Sequence, residues 1–176
     1  MLDIAIAYNR YRFLGDEYLT WLWFLVENES AQLNRLDKDL TALEIGNRMV
    51  LENRRNEAVE TITIKGDEAG LEEGVLALKK GALVNEVNLL YRCGDQIWQF
   101  NLKGESLNIS SLKTPETGKV ETKEDTEGAV LEKIYLYDKV VEFVERSFRL
   151  FIKNRVSDKW EKKVVPQIRE WLSNSK

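Results

Sequence analysis

Nine cationic side chains are the residues of this 176-residue chain whose types and positions best suit a chemical task. They stand near the ends of predicted strands and helices, or along a basic run toward the C terminus. They are Lys65, Lys79, Lys80, Arg92, Lys103, Lys113, Arg146, Arg149 and Lys153. Phosphate contacts need only lysine or arginine at no strict spacing, so these positions indicate a nucleic-acid-binding surface.

The same cations have an alternative explanation as ordinary solvated charge. Lys79 and Lys80 end a predicted helix, where lysine interacts favourably with the helix dipole. Arg146 and Arg149 each follow a glutamate by four residues, a spacing that stabilises helices by itself. The net charge of −4 opposes non-specific attachment unless cations cluster. The cations cluster from residue 131 onward, where the chain has eleven Lys and Arg but only seven Asp and Glu.

Several kinds of catalytic site are excluded by composition. The chain has no histidine and one cysteine, Cys93, which rules out the common protease triads and the usual zinc ligand sets. Cys93 lies in a predicted turn and no histidine can activate it. Carboxylates that qualify for a metal site by number alone are Glu72, Glu73, Glu121, Glu124, Asp125 and Glu127. Most lie in a predicted loop or on a solvated face, so we expect a non-enzymatic protein without metal or cofactor.

The aromatic stretch FLGDEYLTWLWF, residues 13–24, predicts a helix with Asp16 as its N-cap. Aromatic residues at helical spacing usually pack in a core. Trp21 and Trp23 point about 200° apart on a helix, however, so we expect one in the core and the other at a protein interface. A platform for stacking bases is a further alternative, which the neighbouring carboxylates disfavour.

The strands and helices that the sequence patterns predict make up an α+β fold, which positions the cations and the aromatic residues. We expect an antiparallel five-stranded sheet, a strand pair plus a three-stranded meander, packed by the aromatic helix, a short middle helix and a long C-terminal helix. The predicted strands are 43–52, 57–65, 82–92, 96–102 and 106–112, and the later helices are 68–80 and 129–155. The polar residues 30–39 are expected as a loop or a frayed turn. Residues 1–176 form one predicted domain, with an exposed loop at 114–127 and a helical segment at 128–176.

The order of these elements resembles the C-terminal half of the RdgC family of bacterial recombination-associated proteins. The resemblance is carried by LTWLWF (19–24), VETITIKGDEAGLEEGVLALKKGALVNEVNLLY (59–91), QIWQFNLKGESLNISSLKTP (96–115) and EGAVLEKIYLYDKVVEFVERSFRLFI (127–152). It implies a homodimer that binds DNA without sequence preference, acts in recombination and lies at the nucleoid. Lys65 matches the family's basic residue at a strand end.

Two functions therefore follow as expectations. The first is non-enzymatic DNA binding through phosphate contacts, as a homodimer. The alternative is a protein-interaction or oligomerisation module of the same fold that has lost DNA binding, which the acidic pI of about 5.2 favours. No signal peptide is visible and the longest apolar run is too short to span a bilayer, so we expect a cytoplasmic location without membrane contact.

Overall fold

The computed structural model describes residues 10–55, 58–66, 69–118 and 122–175. Its elements confirm the predicted α+β class, with a five-stranded antiparallel sheet and helices before, within and after it. The helices are α1 (Phe13–Asn28), α2 (Ser30–Leu36), α3 (Ala69–Lys79), α4 (Lys123–Arg155) and α5 (Val165–Asn174). The strands are β1 (Ala42–Arg55), β2 (Ala58–Lys65), β3 (Leu83–Cys93), β4 (Gln96–Lys103) and β5 (Asn108–Lys113).

The sheet has the strand order β2-β1-β3-β4-β5, and every neighbouring pair is antiparallel. β1 joins the predicted strand pair to the predicted meander by pairing with both β2 and β3. The two-residue turn between Cys93 and Gln96 contains Gly94 at a φ of 57°, a left-handed conformation that glycine adopts without steric cost. This turn aligns β3 and β4 as a hairpin.

Helix α1 lies between the sheet and the C-terminal helices. On one side, the Thr20 hydroxyl accepts a hydrogen bond from the backbone N–H of Val84 in β3, 3.0 Å away. On the other side, the Tyr18 hydroxyl bonds the Ser147 hydroxyl of α4 at 2.6 Å. Ten of its sixteen residues are buried. The helix is therefore buried on opposite sides.

This two-sided burial corrects the expectation that Trp21 or Trp23 would lie at an interface. Both side chains are 1% exposed. The Trp21 ring packs against Phe151 of α4 at a centroid distance of 5.7 Å, and the Trp23 ring packs edge-on against Trp171 of α5 at 5.2 Å. Trp21 and Trp23 point in different directions from α1, and both meet protein because layers lie on both sides of the helix.

The predicted N-cap at Asp16 is also wrong. Helix α1 begins at Phe13, so Asp16 is inside its first turn, and its side chain is buried. The start of α1 lies directly against the turn after β4. A Cβ atom at Gly15 would be 1.9 Å from the Gly104 carbonyl oxygen, so the close approach requires glycine.

Two further boundaries differ from the predictions. Residues 30–39, expected as a polar loop or frayed turn, contain α2, which is held to the core by Leu33. The loop expected at 114–127 ends early, because α4 begins at Lys123. There Thr122 and Asp125 form a capping box, in which each side chain accepts a hydrogen bond from the other's backbone N–H.

The C-terminal segment returns to the core after α4. A π-helical turn, Trp160–Val164, precedes α5, and Pro166 stands in the first turn of α5. Proline is tolerated at that position because the first N–H groups of a helix have no intrahelical partner. In the described part of the chain, no helix combines the length and the apolar composition that crossing a membrane demands.

Candidate functional site

The two faces of the sheet have different surroundings. On the first face, Tyr91 and Trp98 lie opposite each other on β3 and β4, and Tyr91 packs against Phe143 of α4. Ile64 of β2 lies on the same face, where α3 approaches it at Gly74. We call the other face the open face, because most of its side chains are exposed or half-buried.

Cations from all five strands share the open face. Residues that face each other across an antiparallel pair, and residues two apart along a strand, lie on the same side of a sheet. The register pairs Arg48 with Lys65, Lys103 with Glu86, Lys113 with Gln99, and Arg92 with Ile97. One cation from each strand makes up the open-face cations, which are Arg48, Lys65, Arg92, Lys103 and Lys113. Alternation also places Arg54 on this side, but its guanidinium lies against Glu52 and the buried Asp16.

Three of these cations form ion pairs with nearby glutamates. Arg48 pairs with Glu86 across β1 and β3. The Arg92 Nε atom lies 2.8 Å from Glu44 Oε1, and the Lys103 Nζ atom lies 2.7 Å from Glu105 Oε1. These pairs hold the cations in place at the surface and neutralise part of their charge.

Lys65 and Lys113 stand on the two outer strands, β2 and β5. Both are exposed, and the described residues give neither of them an ion pair within 4.0 Å. Four strand spacings separate β2 from β5, which is roughly 19 Å. The open face is therefore wide enough to contact several phosphates of one strand.

The centre of the open face is a network of side-chain amides. Asn88 donates to the Asn101 Oδ1 atom at 2.7 Å and accepts a hydrogen bond from Gln99 at 2.9 Å. Asn88 is 6% exposed, although it lies on the solvent side of the sheet. Gly46 of β1 makes room for it, because a Cβ atom there would be 2.0 Å from the Asn88 Oδ1 atom. The network places the half-buried amides of Gln99 and Asn101 between the cations.

The other predicted cations do not join this face. Lys79 lies at the end of α3, where its Nζ atom donates to the Ser175 carbonyl oxygen at 2.8 Å, and the exposed Lys80 follows it. On α4, Arg146 pairs with Glu142 at 2.8 Å, and Arg149 pairs with Glu145. The exposed Lys153 lies one turn further along α4. The nine predicted positions therefore divide between the open face and the helices.

Sequence reasoning missed two parts of the open face, Arg48 and the amide network. The alternation of polar and apolar residues in β3 and β4 carries the signal for the amides, since Asn88, Gln99 and Asn101 occupy outward positions. Arg48 gives no such signal. The β1–β3 register is irregular between Ile45 and Met49, so simple alternation does not assign its face.

The carboxylates show no sign of a catalytic metal centre in the part of the chain that is described. There, no group of three or more His, Cys, Asp or Glu side chains could hold a metal ion. Glu121 lies outside the described residues, as does the side chain of Glu124. Cys93 is a half-buried free thiol. The absence of enzymatic activity stays a prediction.

One buried acid lies at the edge of the sheet, on α1. Burial raises the pKa of Asp16 to about 6, against the opposing effects of Arg54 and of a hydrogen bond from Asn85. The Asn85 Nδ2 atom lies 3.1 Å from Asp16 Oδ1, and the Arg54 guanidinium lies 3.9 Å from Asp16 Oδ2. The carboxyl has protein partners on both oxygens, so we interpret it as structural.

Comparison with family models, with curated proteins and with solved structures returned no match to this chain. The resemblance to the RdgC family stays a prediction from the quoted sequence segments. The functional argument depends on the geometry of the open face.

Proposed function

We propose that this chain binds DNA without sequence preference, through phosphate contacts on the open face of its sheet. One observation carries the proposal: Arg48, Lys65, Arg92, Lys103 and Lys113 share one face of a single sheet, in a chain whose net charge is −4. Clustering is the condition under which an acidic protein can attract a polyanion.

Binding of this kind is driven by counterion release. Each lysine or arginine that neutralises a phosphate displaces condensed cations from the DNA, which lowers affinity as salt rises. Lys65 and Lys113 are the strongest contributors in this account, because Arg48, Arg92 and Lys103 must share their charge with a glutamate. The amides of Gln99 and Asn101 add donors that suit phosphate and sugar oxygens.

The composition of the open face argues for sequence independence. The side chains between the cations are the paired glutamates, such as Glu86, together with amides, hydroxyls and small apolar groups, such as those of Asn101, Ser110 and Ile97. None of these is an aromatic ring on which a base could stack, and a sheet face presents no helix to a major groove. Contacts to the backbone carry no sequence information.

The resemblance to the RdgC family supplies the biological setting of the proposal. It supports a non-enzymatic role in DNA recombination, a location at the nucleoid and action as a homodimer. The alternative function, a protein-interaction or oligomerisation module, is favoured by a separate observation: a row of exposed apolar side chains on α4.

A titration of labelled DNA by fluorescence anisotropy tests the proposal. We expect the wild-type protein to bind two unrelated sequences with equal affinity, and a plot of log K against log salt to fall by about 0.9 per neutralised phosphate on duplex DNA. Absence of binding at low salt to both single-stranded and double-stranded DNA would exclude this function. The interaction-module function would then take its place.

A further inference from the structure

The first half of α4 exposes a row of large apolar side chains, which we call the α4 stripe. It consists of Val130, Ile134, Tyr137 and Val141, at successive spacings of four, three and four residues. These spacings place all four on one side of a helix. Their exposed fractions are 53%, 50%, 41% and 51%.

The same row continues along α4 as a packed surface. Val144 is 5% exposed, and the Phe148 ring packs edge-on against Tyr18 of α1 at 5.2 Å. The protein's own core therefore covers the second half of the row. The α4 stripe is the part of the row that the described residues of this chain leave uncovered. Leu131 and Tyr135, beside the stripe, are 67% and 63% exposed.

We propose that the α4 stripe pairs with the α4 stripe of a second copy of this chain, with the two helices antiparallel. A dimer with two-fold symmetry requires a surface that matches itself. The spacing of four, three and four residues reads the same in both directions, so antiparallel pairing aligns Val130 with the partner's Val141 and Ile134 with the partner's Tyr137.

The exposed area fits a small interface. Six large apolar side chains within residues 130–141 are each between 41% and 67% exposed, and four of them form the α4 stripe. Two copies that pair along the stripe bury on the order of 700 Å² of these four side chains, and flanking residues such as Leu131 bring the total toward the roughly 1,000 Å² of a small specific interface. Exposed apolar patches of this size usually mark interaction sites.

The uneven distribution of charge along α4 favours antiparallel over parallel pairing of the two helices. Residues 123–138 hold two lysines and five carboxylates, whereas residues 139–155 hold five lysines and arginines and two glutamates. Parallel pairing would place the two acidic halves side by side, and the two basic halves likewise. Antiparallel pairing avoids both repulsions and also opposes the two helix dipoles favourably.

Sedimentation or light scattering of the full chain tests the pairing. We expect a mass of twice 20.5 kDa at micromolar concentration, and a dimer dissociation constant at least tenfold weaker in Ile134→Lys. Leu76→Lys is the matched control, because Leu76, like Ile134, is a half-exposed aliphatic side chain on a helix, at 53%. A monomer across the whole concentration range overturns the proposal. So does a dimer that Ile134→Lys leaves intact.

Cross-linking tests the direction of the two helices. In a Cys93→Ser background, Val130→Cys chains mixed with Val141→Cys chains should form a disulfide across the stripe. Val130→Cys chains alone should not, because antiparallel pairing leaves two copies of residue 130 about 16 Å apart along the axis. Efficient cross-linking of Val130→Cys with itself would show parallel helices and overturn the antiparallel arrangement.

Discussion

Among the described carboxyl groups, Asp16 is the one whose ionisation is coupled to folding near neutral pH. Its pKa rises from 3.8 to about 6 because the side chain is buried. Between these two pH values the folded protein holds a proton that the unfolded chain has released. The contribution of Asp16 to stability is therefore present below about pH 4. It is lost as the pH rises to about 6, and the loss stays constant above that value.

Replacing this carboxyl with an amide tests the assignment. We expect Asp16→Asn to increase the free energy of unfolding at pH 7 by on the order of 2 kcal/mol, because an amide carries no charge to bury. It should also flatten the pH dependence of urea unfolding between pH 4 and 6. Asp158→Asn is the control, since the Asp158 side chain is 85% exposed. A destabilised Asp16→Asn protein at pH 7 would mean that Arg54 holds the acid ionised.

Gly46 links a single residue to the proposed DNA surface. A Cβ atom at this position would be 2.0 Å from Asn88 Oδ1, so Gly46→Ala must displace the amide network. We expect a loss of about 1–3 kcal/mol in unfolding free energy and weaker DNA binding. Gly128→Ala is the control, because a Cβ atom there meets no neighbour within 4 Å and alanine favours a helix. Unchanged stability in Gly46→Ala would refute the packing of Asn88 under β1.

Among the elements, α1 is the helix that is buried between two layers, the sheet and the C-terminal helices. Trp21 is 1% exposed and touches α4, so Trp21→Ala should destabilise the protein by about 3–5 kcal/mol. Phe13→Ala, at a side chain of the same helix that is 42% exposed, should cost less than about 1 kcal/mol. Chemical denaturation measures both. Equal losses from the two substitutions would contradict the central position of α1.

The strands were predictable because their signals are local. Alternation and tight turns define β3, β4 and β5 within a continuous stretch of 31 residues, from Leu83 to Lys113. The burial of α1 on opposite sides was not predictable in this way. It depends on contacts such as Tyr18 to Ser147, between residues 129 positions apart, which no local pattern encodes.

The candidate site was predictable only in part, for the same reason. Lys65, Arg92, Lys103 and Lys113 were identified as cations near strand ends, and the strand register places them on one face. The sequence did not distinguish these from Lys79 or Arg146, which lie on helices. Assigning a common face to distant strands requires knowing that β1 pairs with both β2 and β3. That pairing is a tertiary contact, which local sequence patterns do not reveal.

At the scale of the whole molecule, the two proposed surfaces should respond differently to salt. Phosphate binding on the open face weakens as salt rises, because each released counterion gains less entropy when the salt concentration of the solution is higher. Pairing through the α4 stripe is apolar, so the dimer should persist at high salt. Sedimentation and anisotropy over the same salt series measure both. A dimer that dissociates in parallel with the loss of DNA would indicate that one shared electrostatic surface carries both activities.

The central claim is that the open face binds phosphate, and the salt dependence of a single-lysine variant tests it most directly. We predict that Lys65→Ala weakens binding to all DNA sequences equally and reduces the slope of log K against log salt by about one. Lys153→Ala, an exposed lysine on α4, should leave affinity and slope unchanged. If Lys153→Ala lowers the slope and Lys65→Ala does not, DNA binds the basic helix and the open face is not the site.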